Sequence, residues 1–400
     1  MNMKKISLYC NWNVFIDHDG TLWLPSVHAR YIYALKNLEF GQITLISKIS
    51  PNRTEEHDHS FSEGELQIIP IPFFTSYFNS IFKLPKFIAA FYKQAKLKTN
   101  YCYIRTYEPF IWILILIQKL LSPKTKLFMH YISDPKSAIF SNAKSSYLKK
   151  LSRFLIFLPE YYLTNISALL CNLSSNGPVP IKNTPFFIRN RISEVIESAM
   201  LESDLLLASN GNFNKKKSTI DDTISILYVG YIRPSKGINI LVDAIELLVK
   251  DGFINFKVTV IGNGEYLDEI KNIVIEKNIS KYFLFTGYIP FSENLFYHYI
   301  DSDIFINLSP SETGPRVLLE AGIFGCQLIS TKVGYAERIL RNDGFLIDIN
   351  SSIQAKIAIE KTIDKIYKNK KNNLQQNENL FLLEYTTENF FKKVLKMDEI

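Results

Sequence analysis

The second half of the chain alternates short apolar runs with amphipathic helical segments, and this alternation restricts the fold more than any other feature. Ile224–Gly230 (ISILYVG), Phe256–Ile261 (FKVTVI), Phe283–Thr286, Ile304–Leu308, Gln327–Thr331 and Phe345–Ile349 read as strands. Between them, Gly237–Lys250, Tyr266–Lys277, Asn294–Ile300 and Pro315–Phe324 carry apolar residues at helical spacing. Strands that are apolar on both faces and alternate with helices predict a doubly wound parallel sheet covered on each side.

The first half repeats the pattern less cleanly. Lys5–Trp12, Gln42–Ser47, Leu66–Pro70, Tyr101–Arg105, Lys126–Tyr131 and Ala168–Asn172 read as strands, with helices such as His28–Asn37 and Pro109–Leu121 between them. A chain of 400 residues exceeds one compact core and suits two domains. The polar stretch Ser209–Asp222 reads as the linker. Tyr385–Met397 opens on a Thr-Thr-Glu start signal and continues as an amphipathic helix. The expected division is 1–205, 206–377 and a closing segment 378–400.

Charge separates the halves. Residues 1–200 hold 23 Lys and Arg against 13 Asp and Glu, whereas residues 201–400 hold 23 against 26. The excess concentrates in residues 83–150, with 13 basic residues and two acids, Glu108 and Asp134. A one-sided basic field attracts nucleic acid, anionic lipid or a lipid diphosphate. Phe110–Leu121 (FIWILILIQKLL) falls short of the roughly 20 residues of a spanning helix. Phe78–Lys98 and Tyr147–Leu163 mix Lys and Arg with Phe, Tyr, Leu and Ile, as a helix at an anionic membrane interface does, and as a core helix with a solvated face also does. The basic residues interleave with apolar runs and form no known nucleic-acid-reading module, so nucleic acid is not an expected partner. The start of the chain is basic then apolar, but Asn11, Asn13, Asp17 and Asp19 interrupt it, so it reads as a first strand. The four cysteines form no C-x-x-C pair and read as buried thiols, which suits a reducing cytoplasm.

The most informative stretch is Ser309–Glu337, SPSETGPRVLLEAGIFGCQLISTKVGYAE. A strand ends near Leu308, and a small-residue turn precedes a helix whose first residue is expected to be Pro315, where its missing N–H costs nothing. The amides and dipole of such a start attract an anion. Glu320 lies five residues on, about 7.5 Å along the axis, which is the reach from a bound phosphate to its ribose. Glu312, before the helix, would meet a sugar beyond the diphosphate. Arg233 and Lys236 in the next strand–helix loop would neutralise a diphosphate at the carboxyl edge of the sheet. Gly262 and Gly264 after FKVTVI permit close backbone approach, or mark an ordinary turn.

With these motifs in order, residues 224–350 resemble the donor-binding domain of retaining GT-B glycosyltransferases, in particular glycosyltransferase family 4. Glu312 and Glu320 match the E-x7-E spacing of that family. Lys236-Gly237, the Gly262–Gly264 loop, Gly287, Asp303, Gly325, Ser330-Thr331 and Val333-Gly334…Glu337 fall in register with it. The resemblance implies two facing Rossmann-like domains, with the last helix crossing back to the first. It implies that Glu320 binds the nucleotide ribose and Glu312 the donor sugar, and that Arg233 and Lys236 stabilise the departing diphosphate in place of a metal ion. The loop Thr313–Val317, with Gly314 and Arg316, and the adjoining Leu318 would cradle sugar and phosphate. Retention by front-face attack is likewise implied. The chain departs from the family at Tyr231, where arginine is usual, at Pro315 within the donor loop, and at Tyr335.

In the first half, Asp19-Gly20-Thr21 sits where a glycine-rich loop approaches donor phosphates in the family, or forms a plain turn. Tyr107 takes the place of a histidine that touches the sugar in many relatives. Arg105 would contact an anionic acceptor or donor, or pair with Glu108. His130, at a strand end, is a candidate cleft residue or a core histidine. His57-Asp58-His59 resembles a metal cluster but lacks further ligands, and no metal is expected. The expected activity is transfer of a sugar from a nucleotide diphosphate sugar to a lipid-diphosphate-linked or other glycan acceptor, at a cytoplasmic membrane face, in assembly of a bacterial surface polysaccharide such as a capsule or O-antigen. A GT-B sugar-nucleotide epimerase and a non-catalytic GT-B scaffold are the alternatives.

Overall fold

The structure, a computed structural model, describes residues 3–140, 146–209, 223–341, 343–371, 382 and 384–397. Its contacts divide the chain into two units, Met1–Ala199 with Thr387–Ile400, and Met200–Thr386. Residues 210–222 of the expected linker lie outside the described residues.

The strands of the first unit are β1 (Lys4–Tyr9), β2 (Phe15–Ile16), β3 (Leu22–Leu24), β4 (Phe40–Lys48), β5 (His59–Phe61), β6 (Gln67–Ile71), β7 (Tyr101–Thr106), β8 (Lys126–Tyr131), β9 (Asn172–Asn176) and β10 (Ile192–Val195). Seven of them form a parallel sheet in the order β10-β9-β8-β7-β1-β4-β6. From β1 the chain adds strands on one side, then returns through β7 and adds them on the other. The β1/β7 boundary is therefore a topological switch point, beside which ligands bind in open parallel sheets. The short strands β2, β3 and β5 form a separate antiparallel sheet on the loops that follow β1 and β4.

One face of the large sheet is covered by helices Leu84–Lys96 and Ile111–Leu121. Phe87, Phe91, Ile111, Leu114 and Ile115 are buried there against Ile46, Ile104 and Met129. The opposite face carries helix Ser26–Asn37 and the closing helix Thr387–Val394. Tyr31 and Tyr103 pack edge-on to Phe391, and Asn37 Nδ2 donates to Glu388 Oε1 at 2.8 Å. The last helix thus returns to the first unit.

The run FIWILILIQKLL is a helix on the sheet whose outer side remains apolar, since Leu120 is 79% exposed while Leu114 is buried. Among the described residues no helix is long and apolar enough to cross a membrane.

The second unit contains β11 (Ile224–Val229), β12 (Phe256–Ile261), β13 (Phe283–Gly287), β14 (Ile304–Asn307), β15 (Gln327–Thr331) and β16 (Phe345–Ile347), in the order β13-β12-β11-β14-β15-β16. All are parallel. Helix Ile238–Lys250 buries Leu241, Ile245 and Leu248 on the core side, next to Ile359 and Ile363 of helix Ser352–Lys371. Burying each such side chain stabilises the fold by about 1.5–3 kcal/mol relative to leaving it exposed.

The strands expected in the second half appear within one or two residues of their expected ends. In the first half the expected strand Ala168–Asn172 is a 3-10 turn over Ala168–Leu170, and the strand begins at Asn172. Its sequence, NLSSN, has one aliphatic residue and hides the buried position from periodicity.

Candidate functional site

The site of the second unit is built where the carboxyl ends of β11, β12 and β14 open into loops. After β11 the chain runs through Gly230 and a 3-10 turn, Pro234–Lys236, into helix Ile238–Lys250. Gly237 at that junction is left-handed (φ 72°), and an added Cβ would run into the Leu308 carbonyl. Glycine here lets the Lys236 loop lie against the end of β14. Gly262 (φ 138°) would likewise drive a Cβ into the Gly230 carbonyl, and Gly264 into that of Ile232. The Ile232 amide donates to the Asn263 carbonyl at 2.9 Å, so the two loops are closed onto each other. Gly262 and Gly264 are thus required for loop-on-loop packing.

Lys236 Nζ is ion-paired with Glu312 Oε1, with their side chains 24% and 18% exposed. Arg233 is exposed, and its guanidinium lies 5.8 Å from the Tyr231 ring centroid. The buried Tyr228 hydroxyl lies within range of both Glu312 and Arg233. Burial and then the Glu312 charge hold its pKa well above the ordinary value. Four charged or hydroxyl groups from two loops and a strand therefore converge on one edge.

The loop after β14 ends in helix Arg316–Ile323, with Pro315 one position earlier than expected, at the N-cap. The Leu318 amide donates to the Pro315 carbonyl at 3.0 Å, and the Arg316 amide donates to Gly314 O at 3.0 Å. Part of the expected anion cradle is thus engaged with its own turn. Arg316 and Val317 are half-buried and Leu318 is fully buried in the core. Gly334 (φ 54°) lies against Thr313 O and Pro315 Cδ, which brings the loop after β15 onto the same turn. Thr331 Oγ1 donates to Ser309 O at 2.6 Å and Asn307 Nδ2 to Ser330 Oγ at 3.1 Å, pinning the two strand ends together.

Glu320 is buried, and Tyr299 donates its hydroxyl to Glu320 Oε2 at 2.7 Å. Tyr299 comes from helix Glu293–Ile300, and no sequence motif links it to Glu320. Asp303 lies at the opposite, amino edge of the sheet, where its carboxylate accepts the Ser225 amide at 2.9 Å. Its register with the resemblance has a structural basis.

The first unit presents its expected residues differently. Arg105 Nη2 pairs with Glu197 Oε1 at 3.3 Å rather than with Glu108, and Tyr31 donates to the same Glu197 oxygen at 2.7 Å. His130 is fully buried and lies in the core rather than in a cleft. Its Nδ1 is 2.8 Å from Ser174 Oγ, Phe390 lies edge-on at 5.2 Å, and burial lowers its pKa to about 4. It is neutral at physiological pH. Tyr107 stacks on Tyr161 at 5.9 Å and lies beside Phe157 and Tyr131. Gly20 (φ 84°) is at the tip of the β2–β3 hairpin, where its amide donates to Asp17 O at 3.1 Å.

His57, Asp58 and His59 face three different partners. His57 Nδ1 accepts the Thr54 amide at 2.9 Å while Nε2 donates to the Asn13 carbonyl at 2.7 Å. Asp58 Oδ2 accepts from Ser26 Oγ at 3.0 Å, and His59 lies 2.9 Å from the Tyr33 hydroxyl.

Residues 210–380 match the family Glycosyl transferases group 1. An uncharacterized glycosyltransferase of Methanocaldococcus jannaschii is 26% identical, over 94% of this chain and 96% of the relative. The solved structure of HepE of Anabaena in complex with UDP-glucose superposes with a TM-score of 0.63 at 13% identity, covering 99% of each chain. The apo lipopolysaccharide outer core galactosyltransferase WaaB does so with a TM-score of 0.59 at 11% identity, covering 98% of this chain and 99% of that one. The second unit therefore carries a glycosyl transferases group 1 domain, and the chain is a glycosyltransferase of the GT-B fold.

Proposed function

We propose that the chain is a retaining, metal-independent glycosyltransferase that uses a nucleoside diphosphate sugar and adds the sugar to a lipid-linked glycan during assembly of a bacterial surface polysaccharide. The observation that carries the donor part is the Lys236–Glu312 pair at the carboxyl edge of the second sheet. On arrival of a diphosphate, the ammonium exchanges its carboxylate for phosphate oxygens and neutralises the charge that grows on the leaving group. Glu312, released, faces the sugar hydroxyls, and Glu320 faces the ribose. The complex of HepE with UDP-glucose supports a uridine donor.

The acceptor part rests on the first unit. Helices Leu84–Lys96 and Ile111–Leu121 leave Ile88, Tyr92, Leu116 and Leu120 exposed in the segment that holds the basic excess, and helix Tyr147–Ser167, which follows it, leaves Leu155 and Ile166 exposed. Exposed apolar side chains among lysines fit the interface of an anionic bilayer. The name of WaaB, a lipopolysaccharide enzyme, supports a surface-glycan acceptor.

The test is a thermal-shift screen of UDP-, GDP- and TDP-sugars, since a donor that binds only the folded chain raises its stability. The hit is then incubated without acceptor. A shift with one donor and slow hydrolysis to free sugar supports a transferase. Epimerised donor would point to an epimerase, and no shift with any donor to a scaffold. Binding to phosphatidylglycerol vesicles that falls with salt tests the membrane part, and salt-independent or absent binding overturns it.

A further inference from the structure

At the switch point of the first sheet, the turn after β1 meets the turn after β7. The Asn11 amide donates to Glu108 Oε1 at 3.0 Å, which fixes the carboxyl group across that boundary. Glu108 is half-buried, and among the described residues no donor reaches its other oxygen. Two more acceptors in the same turn, the side-chain carbonyl oxygens of Asn11 and Asn13, are shielded from solvent and lack a partner. Thr106 Oγ1, at the end of β7, is fully buried and also unpartnered. A buried acceptor without a donor costs about 1–3 kcal/mol. The same region leaves donors unpartnered as well, Trp12 Nε1 and Arg105 Nε, and the Thr106 hydroxyl both donates and accepts, so a ligand that carries donors and acceptors together fits it. A polyhydroxyl ligand supplies what is missing, with O–H groups that donate to carboxylate and amide oxygens.

We propose that Glu108, with Asn11 and Asn13, forms a sugar-hydroxyl subsite on the first unit, in which Glu108 Oε2 accepts a hydrogen bond from a hydroxyl of the glycan acceptor. The identity of the sugar as acceptor rests on the function proposed above; the hydroxyl-binding chemistry does not. Four ionisable groups face Glu108. Arg105 and Lys48 favour its charged form, and Tyr9 and Cys10, both buried, are neutral beside it. Burial outweighs them and raises the Glu108 pKa to about 7. The strong-acceptor form therefore prevails above neutral pH and is lost below it.

All three tryptophans, Trp12, Trp23 and Trp112, belong to the first unit, and Trp12 adjoins Asn11. Tryptophan fluorescence of the full chain therefore reports this turn. We would titrate it with methyl glucosides, galactosides and mannosides at pH 8 and pH 6. The expected result is a saturable change with at least one glycoside, about tenfold weaker at pH 6 than at pH 8. Glu108→Gln should bind about tenfold more weakly at pH 8 and lose the pH dependence. His28, stacked on Trp12 at 5.1 Å, is retained in Glu108→Gln, so a pH effect that remains in that variant does not come from Glu108. Stabilisation of Glu108→Gln by the donor identified above, or by its intact melting transition if no donor is found, establishes that the variant folds. Equal affinity and equal pH dependence in wild type and Glu108→Gln overturns the proposal, as does the absence of saturation with every glycoside. Donor binding that persists in either case leaves the transferase reading standing, whereas glycoside binding without donor binding removes that reading and keeps the subsite.

Discussion

Each unit contains an ion pair between loops or strands far apart in sequence, and the two pairs differ in how open they are to solvent. Lys236–Glu312 joins two loops at the carboxyl edge of the second sheet, with both side chains partly open to solvent. Arg105–Glu197 lies inside the first unit, where Glu197 also receives the Tyr31 hydroxyl. An open pair exchanges partners at little cost, because water and an incoming phosphate replace the carboxylate. A buried pair is fixed, because either charge left alone in the interior is strongly destabilising. Attraction between opposite charges is common to both, and burial decides which is available to a ligand.

Four substitutions test that contrast. The largest effect is expected on turnover: Lys236→Ala should lower kcat by about 100- to 1000-fold with the melting temperature little changed, measured with the donor found by screening. A variant that keeps its rate would place phosphate stabilisation elsewhere. Next, Arg105→Ala should destabilise the first unit by about 3–5 kcal/mol, read from the denaturant midpoint, because Glu197 is left buried without its cation. If it instead retained stability and lost acceptor binding, Arg105 would be a ligand-facing residue and the contrast would fail.

A smaller loss tests the loop packing that supports the open pair. Gly262→Ala, at φ 138° and against the Gly230 carbonyl, should cost about 1–3 kcal/mol and weaken donor binding together. Loss of donor binding without loss of stability would assign that glycine to ligand approach alone. The smallest effect concerns pH. The folded pKa of His130 is about 4, below its unfolded value of about 6.5. The unfolded chain therefore binds a proton first, so this contribution is present above about pH 6.5 and is lost as pH falls toward 4. His130→Gln should flatten the stability profile in that window, and an unchanged slope would show that His130 is not the group responsible.

The same contrast explains how much of the site was legible. In the second unit each motif is a strand end, a glycine and a charged residue close in sequence, so Lys236, Glu312 and the Gly262–Gly264 loop could be picked out before their contacts were known. In the first unit the partners of Arg105 and His130 come from residues 197 and 390, and no local pattern joins them. Of the two readings of Arg105, the pair with Glu108 followed from nearness in sequence. The strand places both on the same turn, but Glu108 instead reaches across to the Asn11 amide. Tyr299 was missed for the same reason, since its contact with Glu320 spans two helices.

Two parallel sheets, the closing helix and the order of the donor motifs are properties of the sequence itself, because strand and helix periodicity and glycine placement act over a few residues. Burial is not such a property. Which carboxylates are open, which histidine is neutral and which arginine is locked depend on the elements that pack over each side chain. Desolvation, which decides whether a charge can meet a ligand, arises only when distant segments close around it.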